Sequence, residues 1–194
     1  AWNAYRYNIP SIHISHQASF INNNVPRTQY KSIIGECIMK YFCPSNQFIG
    51  LHYKKYSPNI SEPIIDPSIT NRSFSELNHV TVYLPWYNDN YLYTFFKVIK
   101  DFKFHIFSKN ISSKKEIKNI CFFPINQYLF SNSLADSYGV ICNAGFQTSA
   151  EVLSIGKRLL VIPIIGQYEQ QCNVVALNEI GIQSIDYLDI KSRI

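Results

Sequence analysis

Residues 138–163, YGVICNAGFQTSAEVLSIGKRLLVIP, decide how the chain folds. Two apolar runs, 138–143 (YGVICN) and 158–163 (RLLVIP), bracket a segment, 145–155, whose composition suits a helix. Each run is strand-length and nearly continuous in apolar character, as strands covered on both faces of a parallel sheet are. The same unit recurs upstream, with runs at 79–85 (HVTVYLP), 103–108 (KFHIFS) and 119–125 (NICFFPI). Helix-compatible stretches lie at 88–101, near 112–118, at 127–137 and at 168–180. This alternation predicts an α/β fold with a doubly wound, Rossmann-like parallel sheet.

The front of the chain reads differently. Residues 11–15 (SIHIS) alternate like a strand, 30–39 suit a helix, and 48–53 (FIGLHY) suit another strand. The stretch 57–69 holds Pro58, Pro63 and Pro67, which argues against a helix or an inner strand and for an interdomain connector. The expected organisation is a partial second α/β domain with its connector at 1–70, too short of strands to close its own core, and a complete domain at 71–194.

Composition narrows the class. The 194 residues carry 18 Lys+Arg against 13 Asp+Glu, a net charge of +5, with 46% hydrophobic and 16% charged residues. A chain this apolar buries a real core, which excludes disorder as its main state. The longest apolar run, 159–165, is far short of a membrane span. The positive charge is scattered, unlike the concentrated patch of a nucleic-acid binder. No charged segment precedes an apolar one at the start, so no signal peptide is expected. Cys37, Cys43, Cys121, Cys142 and Cys172 are odd in number and form no C-x-x-C pair. That pattern favours reduced thiols in a cytoplasmic protein over a disulfide framework or a zinc site. The histidines and carboxylates show no metal-ligand spacing, and no nucleophile elbow occurs.

Ligands of such sheets collect beyond the carboxyl ends of the strands, beside helix N-termini. Here those places are 85–86, 123–126, 143–148 and 163–170. In the third, Gly145 permits a sharp turn and close backbone approach. The N–H groups of the following turn, with the Thr148 and Ser149 hydroxyls, suit a diphosphate, and Glu151 suits the two hydroxyls of a ribose. Thr148-x-x-Glu151 reads equally as a capping box that only satisfies the helix end. Trp86 and Tyr87 read either as cleft-facing or as anchors of the core or a loop.

Beyond this turn come Gly156-Lys157, the strand ending in Pro163, and the run Gly166-Gln167-Tyr168-Glu169-Gln170-Gln171-Cys172-Asn173. The set Gly145, Phe146, Gln147, Thr148, Glu151, Gly156, Pro163, Glu169, Gln170 and Asn173 resembles, at matching gaps, the donor-binding box of GT-B glycosyltransferases. It is most similar to a MurG-like bacterial and archaeal branch, as are 9–17 (IPSIHISHQ) and 49–53 (IGLHY). The resemblance spans nearly the whole chain and is most specific over 142–173.

It implies transfer of a sugar, of hexosyl type, from a nucleotide diphosphate sugar such as a UDP-sugar, without a cofactor or metal and with inversion. Gly145, Phe146, Gln147 and Thr148 would line the diphosphate, and Glu151 would hold the ribose. Phe123 and Ile125 would flank the base, and Glu169 and Gln170 would touch the sugar, with Asn173 bracing their loop. Asn143 stands where many members carry a histidine, which removes a cationic contact to the phosphates. The base that deprotonates the acceptor is expected in early N-terminal loops, outside this sequence. Within the sequence, His13 and His16 are the nearby candidates, His16 being taken as the catalytic one and a packed histidine being the plainer reading. His52, His79 and His105 receive no role. The 194 residues alone are therefore expected to turn over little.

The expected partners are the nucleotide sugar and an unidentified glycan, lipid-linked or small-molecule acceptor, with no nucleic acid. Peripheral association with an inner-membrane surface also fits the mild positive charge. The competing readings are a nucleotide-sugar binding module without turnover and an epimerase or hydrolase on the same fold.

Overall fold

Every apolar run quoted above becomes a strand in the computed structural model, which describes residues 1–190. The front of the chain forms α1 (Trp2–Arg6), β1 (Ile12–Ser15), α2 (His16–Ser19), α3 (Ile33–Tyr41), β2 (Gln47–Leu51), β3 (Ile60–Ser61) and α4 (Pro67–Thr70). Next come β4 (His79–Tyr83), α5 (Asp89–Phe96), β5 (Lys103–Ser108), β6 (Lys115–Ile117), β7 (Ile120–Pro124) and α6 (Gln127–Asp136). The described chain ends with β8 (Gly139–Asn143), α7 (Phe146–Ser154), β9 (Arg158–Ile162), α8 (Tyr168–Glu179) and β10 (Gln183–Ser184). Contacts group them into two units, Ala1–Ile64 with Ile165–Gly181, and Ile65–Ile164 with the described residues from Ile182 onward.

The larger unit is built on a seven-stranded sheet of order β10-β9-β8-β4-β5-β7-β6. Its pairs are parallel except β6 with β7. Strand β4 shows why the pattern was legible: four of its five residues are buried, because each face carries a helix. On one face Val80 and Val82 join Leu92 and Phe96 of α5, Phe104 and Ile106 of β5, and Phe122 of β7 in a single core. On the other, Thr81 Oγ1 donates to the Ser133 carbonyl of α6 at 3.0 Å, and Phe107 meets Phe130 edge-on at 5.0 Å. The sheet is doubly wound, as expected.

One element reverses its expectation. The stretch near 112–118, read as a short helix, contains β6, hairpin-paired to β7 through Ile117↔Ile120. Lys118 takes the left-handed conformation of the turn, at φ 56°. Asn119 Nδ2 donates to the carbonyls of Phe96 and Ile99 at 3.2 and 2.7 Å, which pins it. A polar, lysine-rich edge strand has no apolar stripe by which to be recognised. The proline-rich stretch 57–69 also holds more structure than expected. Its strand β3 lies at a sheet edge, but Pro67 opens the one-turn helix α4, capped by Asp66 from the Ser68 N–H. Proline is excluded from helix interiors and accepted at the first position, where its missing N–H has no partner to lose. Tyr87 is a loop anchor, stacked on Tyr91 at 5.6 Å and accepting from the Leu188 N–H at 3.1 Å.

The smaller unit has a three-stranded parallel sheet, β1-β2-β3. Gly50 of β2 lies so close to α2 that a Cβ there would stand 2.5 Å from Ser19 Cα. Helix α8 packs into this unit, whereas the expected division kept it with residues 71–194. Tyr168 and Cys172 enter the core of Phe20, Val25, Met39 and Ile60. Tyr168 Oη donates to Glu36 at 2.9 Å, and Glu36 also takes Arg27 Nε at 2.6 Å and Lys40 Nζ at 3.1 Å. Tyr56 Oη reaches Glu179 at the far end of α8 at 2.9 Å. All five cysteines are free thiols. Among the described residues no helix is long and apolar enough to cross a membrane.

Candidate functional site

At the carboxyl edge of the larger sheet, the turn from β8 into α7 was the most informative stretch of sequence. Asn143 closes β8 opposite Ile162 of β9, and its Nδ2 donates to the Ile162 carbonyl at 2.8 Å. Its Oδ1 is buried without a hydrogen-bond partner. Gly145 is the N-cap of α7, and glycine itself brings no side chain to cap the helix. A Cβ added at Gly145 would meet nothing within 4 Å, so the space above the turn is open. Its φ of −71° is one that any residue adopts, so what glycine provides here is room and not backbone freedom. A capping box would need Thr148 at the N-cap. The helix begins two residues earlier, at Phe146, so Thr148 lies within the first turn and that alternative falls. A helix N-terminus with room beside its first residue is an arrangement that receives an anion.

Glu151 follows one turn later, its Oε1 accepting from Gln147 Nε2 at 2.8 Å. Burial raises its pKa above the ordinary value, and the Asp66 charge raises it further. Asp66 itself takes Gln127 Nε2 at 3.4 Å. Gln127 opens α6 after β7, and Gln147 lies in the first turn of α7 after β8, so both stand at the same sheet edge. Asp66 and Gln127 were not singled out in the sequence. The only signal near Asp66 was Pro67, which read as linker.

Phe123 and Ile125 part company. Phe123 is packed, stacked on Phe107 at 5.3 Å and edge-on to His105 at 5.0 Å, whereas Ile125 is exposed just beyond the strand. Asn126 then caps α6 by accepting from the Leu129 N–H at 3.0 Å.

The remaining candidates belong to the smaller unit. Glu169 sits in the first turn of α8, is 37% exposed, and is hydrogen-bonded by the Gln17 side chain. Burial pushes its pKa up. Gln170 is half-buried beside it. His16 is buried under Phe20 and His52, with ring centroids at 5.1 and 4.9 Å. Its Nδ1 lies 3.0 Å from the Leu51 carbonyl, its Nε2 lies 2.8 Å from the side-chain amide of Asn173, and Glu169 is 3.7 Å away. Burial lowers its pKa to about 4, against smaller opposing effects from the Leu51 and Asn173 bonds. The neutral ring has one N–H, and a carbonyl can only accept. The Leu51 carbonyl and Asn173 Oδ1 both face the ring as acceptors, and the single N–H of the neutral ring serves one of them. Both nitrogens are thus engaged inside the unit. Among the described residues, no group of three His, Cys, Asp or Glu side chains is placed to hold a metal ion.

A family model described as Glycosyl transferase family 1 matches residues 3–193. No curated protein matches the sequence. Among solved structures, MurG of Acinetobacter baumannii aligns at 13% identity over 95% of this chain and 55% of its own, with a TM-score of 0.51. The glycosyltransferase SnogD from Streptomyces nogalater aligns at 14% identity over 76% of this chain and 46% of its own, with a TM-score of 0.48. The chain thus spans about half the length of these proteins. At such identity the likeness to MurG speaks for the fold, which is of GT-B type. The family match covers nearly every residue, and the chain belongs to glycosyl transferase family 1.

Proposed function

We propose that the larger unit binds the nucleotide part of a UDP-sugar and that the protein transfers the sugar to an acceptor hydroxyl. The observation that carries this reading is the start of α7 at the carboxyl edge of a parallel sheet, with open space over Gly145 and Glu151 one turn beyond. The helix dipole and first-turn N–H groups hold the diphosphate, so the charge that develops on it in the transition state is met by the backbone. Glu151, held by Gln147, accepts from the ribose hydroxyls. Ile125 and the main chain at the end of β7 flank the base.

In the transfer, the acceptor oxygen attacks the anomeric carbon. The bond from that carbon to the diphosphate oxygen breaks, UDP leaves with the electron pair, and a base takes the hydroxyl proton. One displacement of this kind inverts the anomeric centre. The enclosed, neutral His16 is a positioning residue in this scheme, setting Asn173 and the first turn of α8 where Glu169 and Gln170 stand. Because its nitrogens are engaged, the 194-residue chain is expected to bind donor and turn it over slowly. Multiple turnovers per minute by the purified chain would contradict that assignment.

Calorimetric titration with UDP tests the site. We expect binding by the wild-type chain and a loss of about tenfold in affinity, or ~1.4 kcal/mol, for Glu151→Ala. No UDP binding, or an unchanged affinity in the variant, removes the assignment.

A further inference from the structure

We propose that the larger unit holds a site for a single phosphate group on the α6 face of its β5-β7-β6 edge, apart from the turn into α7. The net charge of +5 reads as scattered along the chain, yet residues 97–118 carry all of it, with seven lysines against Asp101 and Glu116. The fold then sorts these lysines by face. Successive residues of a strand point to opposite sides, so 114, 116 and 118 fall on one side of the hairpin and 115 and 117 on the other. A cavity of about 170 Å³ receives Lys114, Glu116 and Lys118, together with Lys103 and His105 of β5 and Cys121 of β7. Lys115 and Ile117 line a different cavity, against α5.

Three ammonium groups against one carboxylate leave the first cavity cationic. Glu116 and His105 both pair with Cys121 and form its middle row. Lys103 and Lys118 stand toward the hairpin turn, and Lys114 stands at the other end, 5.5 Å from the centre of the Phe123 ring. Among the described residues, no salt bridge engages Lys103, Lys114 or Lys118. The middle row is no cation site, since among those residues no three His, Cys, Asp or Glu side chains are placed to hold a metal ion. Size narrows the anion. The volume is below the roughly 300–1,000 Å³ of sites that enclose whole small molecules, so it takes one compact group and not a nucleotide. A phosphate group brings about two negative charges and three strong acceptor oxygens, one for each ammonium.

The field of these lysines reaches into the unit. Burial lowers the His105 pKa to about 4, and the charges of His79, Lys114 and Lys103 act in the same direction. The ring stacks on His79 of β4 and bonds Ser133 of α6, with Cys121 of β7 and Glu116 of β6 beside it in the register. A bound anion offsets the lysines, so His105 then takes up its proton at higher pH. The turn into α7 follows β8, four strand spacings from β6, or about 19 Å, so the two places respond separately.

The experiment titrates the isotope-labelled chain with inorganic phosphate, exchanged for chloride at constant ionic strength, and follows backbone amides by NMR. We expect saturating shifts at 114–122, while amides at 145–151 report the donor turn independently. Lys103→Gln and Lys114→Gln should each weaken phosphate binding about threefold or more, and Glu116→Gln should strengthen it by a similar factor. Lys115→Gln removes the same charge from the opposite face, roughly a screening length away at 0.15 M salt, and should have less than half that effect. Sulfate, a dianion throughout the range, should raise the pH at which His105 titrates, and Lys103→Gln should reduce that rise. All four variants change exposed side chains, and their circular dichroism is expected to match wild type. Sedimentation with phosphatidylcholine vesicles containing phosphatidic acid identifies the source. Binding to them with the same dependence on Lys103 and Lys114 supports the site and puts its phosphate on a lipid headgroup. Saturation by inorganic phosphate without vesicle binding supports it as a site for the free ion. Shifts that never saturate, an equal loss in Lys115→Gln, or no gain in Glu116→Gln would reduce the cavity to diffuse surface charge and overturn the proposal.

Discussion

At Gly145 a single missing methyl group separates a structural role from a functional one. The residue has an ordinary φ and nothing within 4 Å of an added Cβ. Gly145→Ala is therefore expected to cost about 0.5–1 kcal/mol in urea denaturation, the gap between glycine and the poorer alanine at an N-cap. The same methyl would stand in the space assigned to the diphosphate, so UDP affinity should fall several-fold. A large loss of stability would show instead that glycine serves the turn. Glu151 yields a second expectation at this scale. Its pKa is raised by burial and by Asp66, so it takes up a proton at higher pH than an ordinary glutamate. The protonated carboxyl accepts ribose hydroxyls less well, so UDP binding should weaken as pH is lowered, and Glu151→Gln should flatten that pH dependence. The raised pKa also means that the burial cost of the carboxylate is felt above it and relieved below it.

At the scale of elements, close approach and capping set the costs. Helix α2 lies on β2 at Gly50, where the obstacle to a Cβ is the Ser19 backbone; α3 lies on α8 at Gly35, where it is the base of the Tyr168 ring. Neither obstacle is the movable end of a long side chain. Gly50→Ala and Gly35→Ala are each expected to cost about 1–3 kcal/mol in chemical denaturation, the backbone case more. Asn126→Ala, which removes the cap of α6, should cost about 1 kcal/mol. The elements also show how far local pattern reaches. Strand β5 falls at 103–108, where its apolar run was read, and β7, β8 and β9 lie within a residue or two of theirs, because burial on both faces leaves an unmistakable run. Strand β6 escaped because an edge strand carries lysines where an inner strand carries valines. The turn at 143–151 stood out in the sequence as a candidate ligand site, through its glycine and hydroxyl spacing. Asp66 and Gln127 were not, since they lie 61 residues apart and only the fold brings them together.

Across the molecule, the five histidines share one tendency. Burial lowers the pKa of each, to about 4 for His16 and His105 and about 3 for His52. His79 and His105 stack at 3.9 Å on neighbouring strands and both bond Ser133, so protonating either one places a charge against the other. The folded state therefore holds these rings neutral. The stability this supplies is present above the unfolded value of 6.5 and is lost as pH falls from there toward about 4, where the unfolded chain binds more protons. Urea midpoints measured from pH 7.5 to 4.5 should fall steadily, and His105→Gln should reduce the slope. A midpoint that stays level over this range would show that the rings charge without cost.

The amino-acid sequence by itself determined the doubly wound parallel sheet, the glycine turn at its edge and the family. All three are written in local periodicity and in the spacing of glycines, hydroxyls and carboxylates along a few consecutive turns. Tertiary structure alone decided that α8 belongs with the front of the chain and that His16 is enclosed. Local pattern records that a residue is to be buried, but not against what. The partners that settle these questions, Glu36 for Tyr168 and His16 for Asn173, stand 132 and 157 residues away.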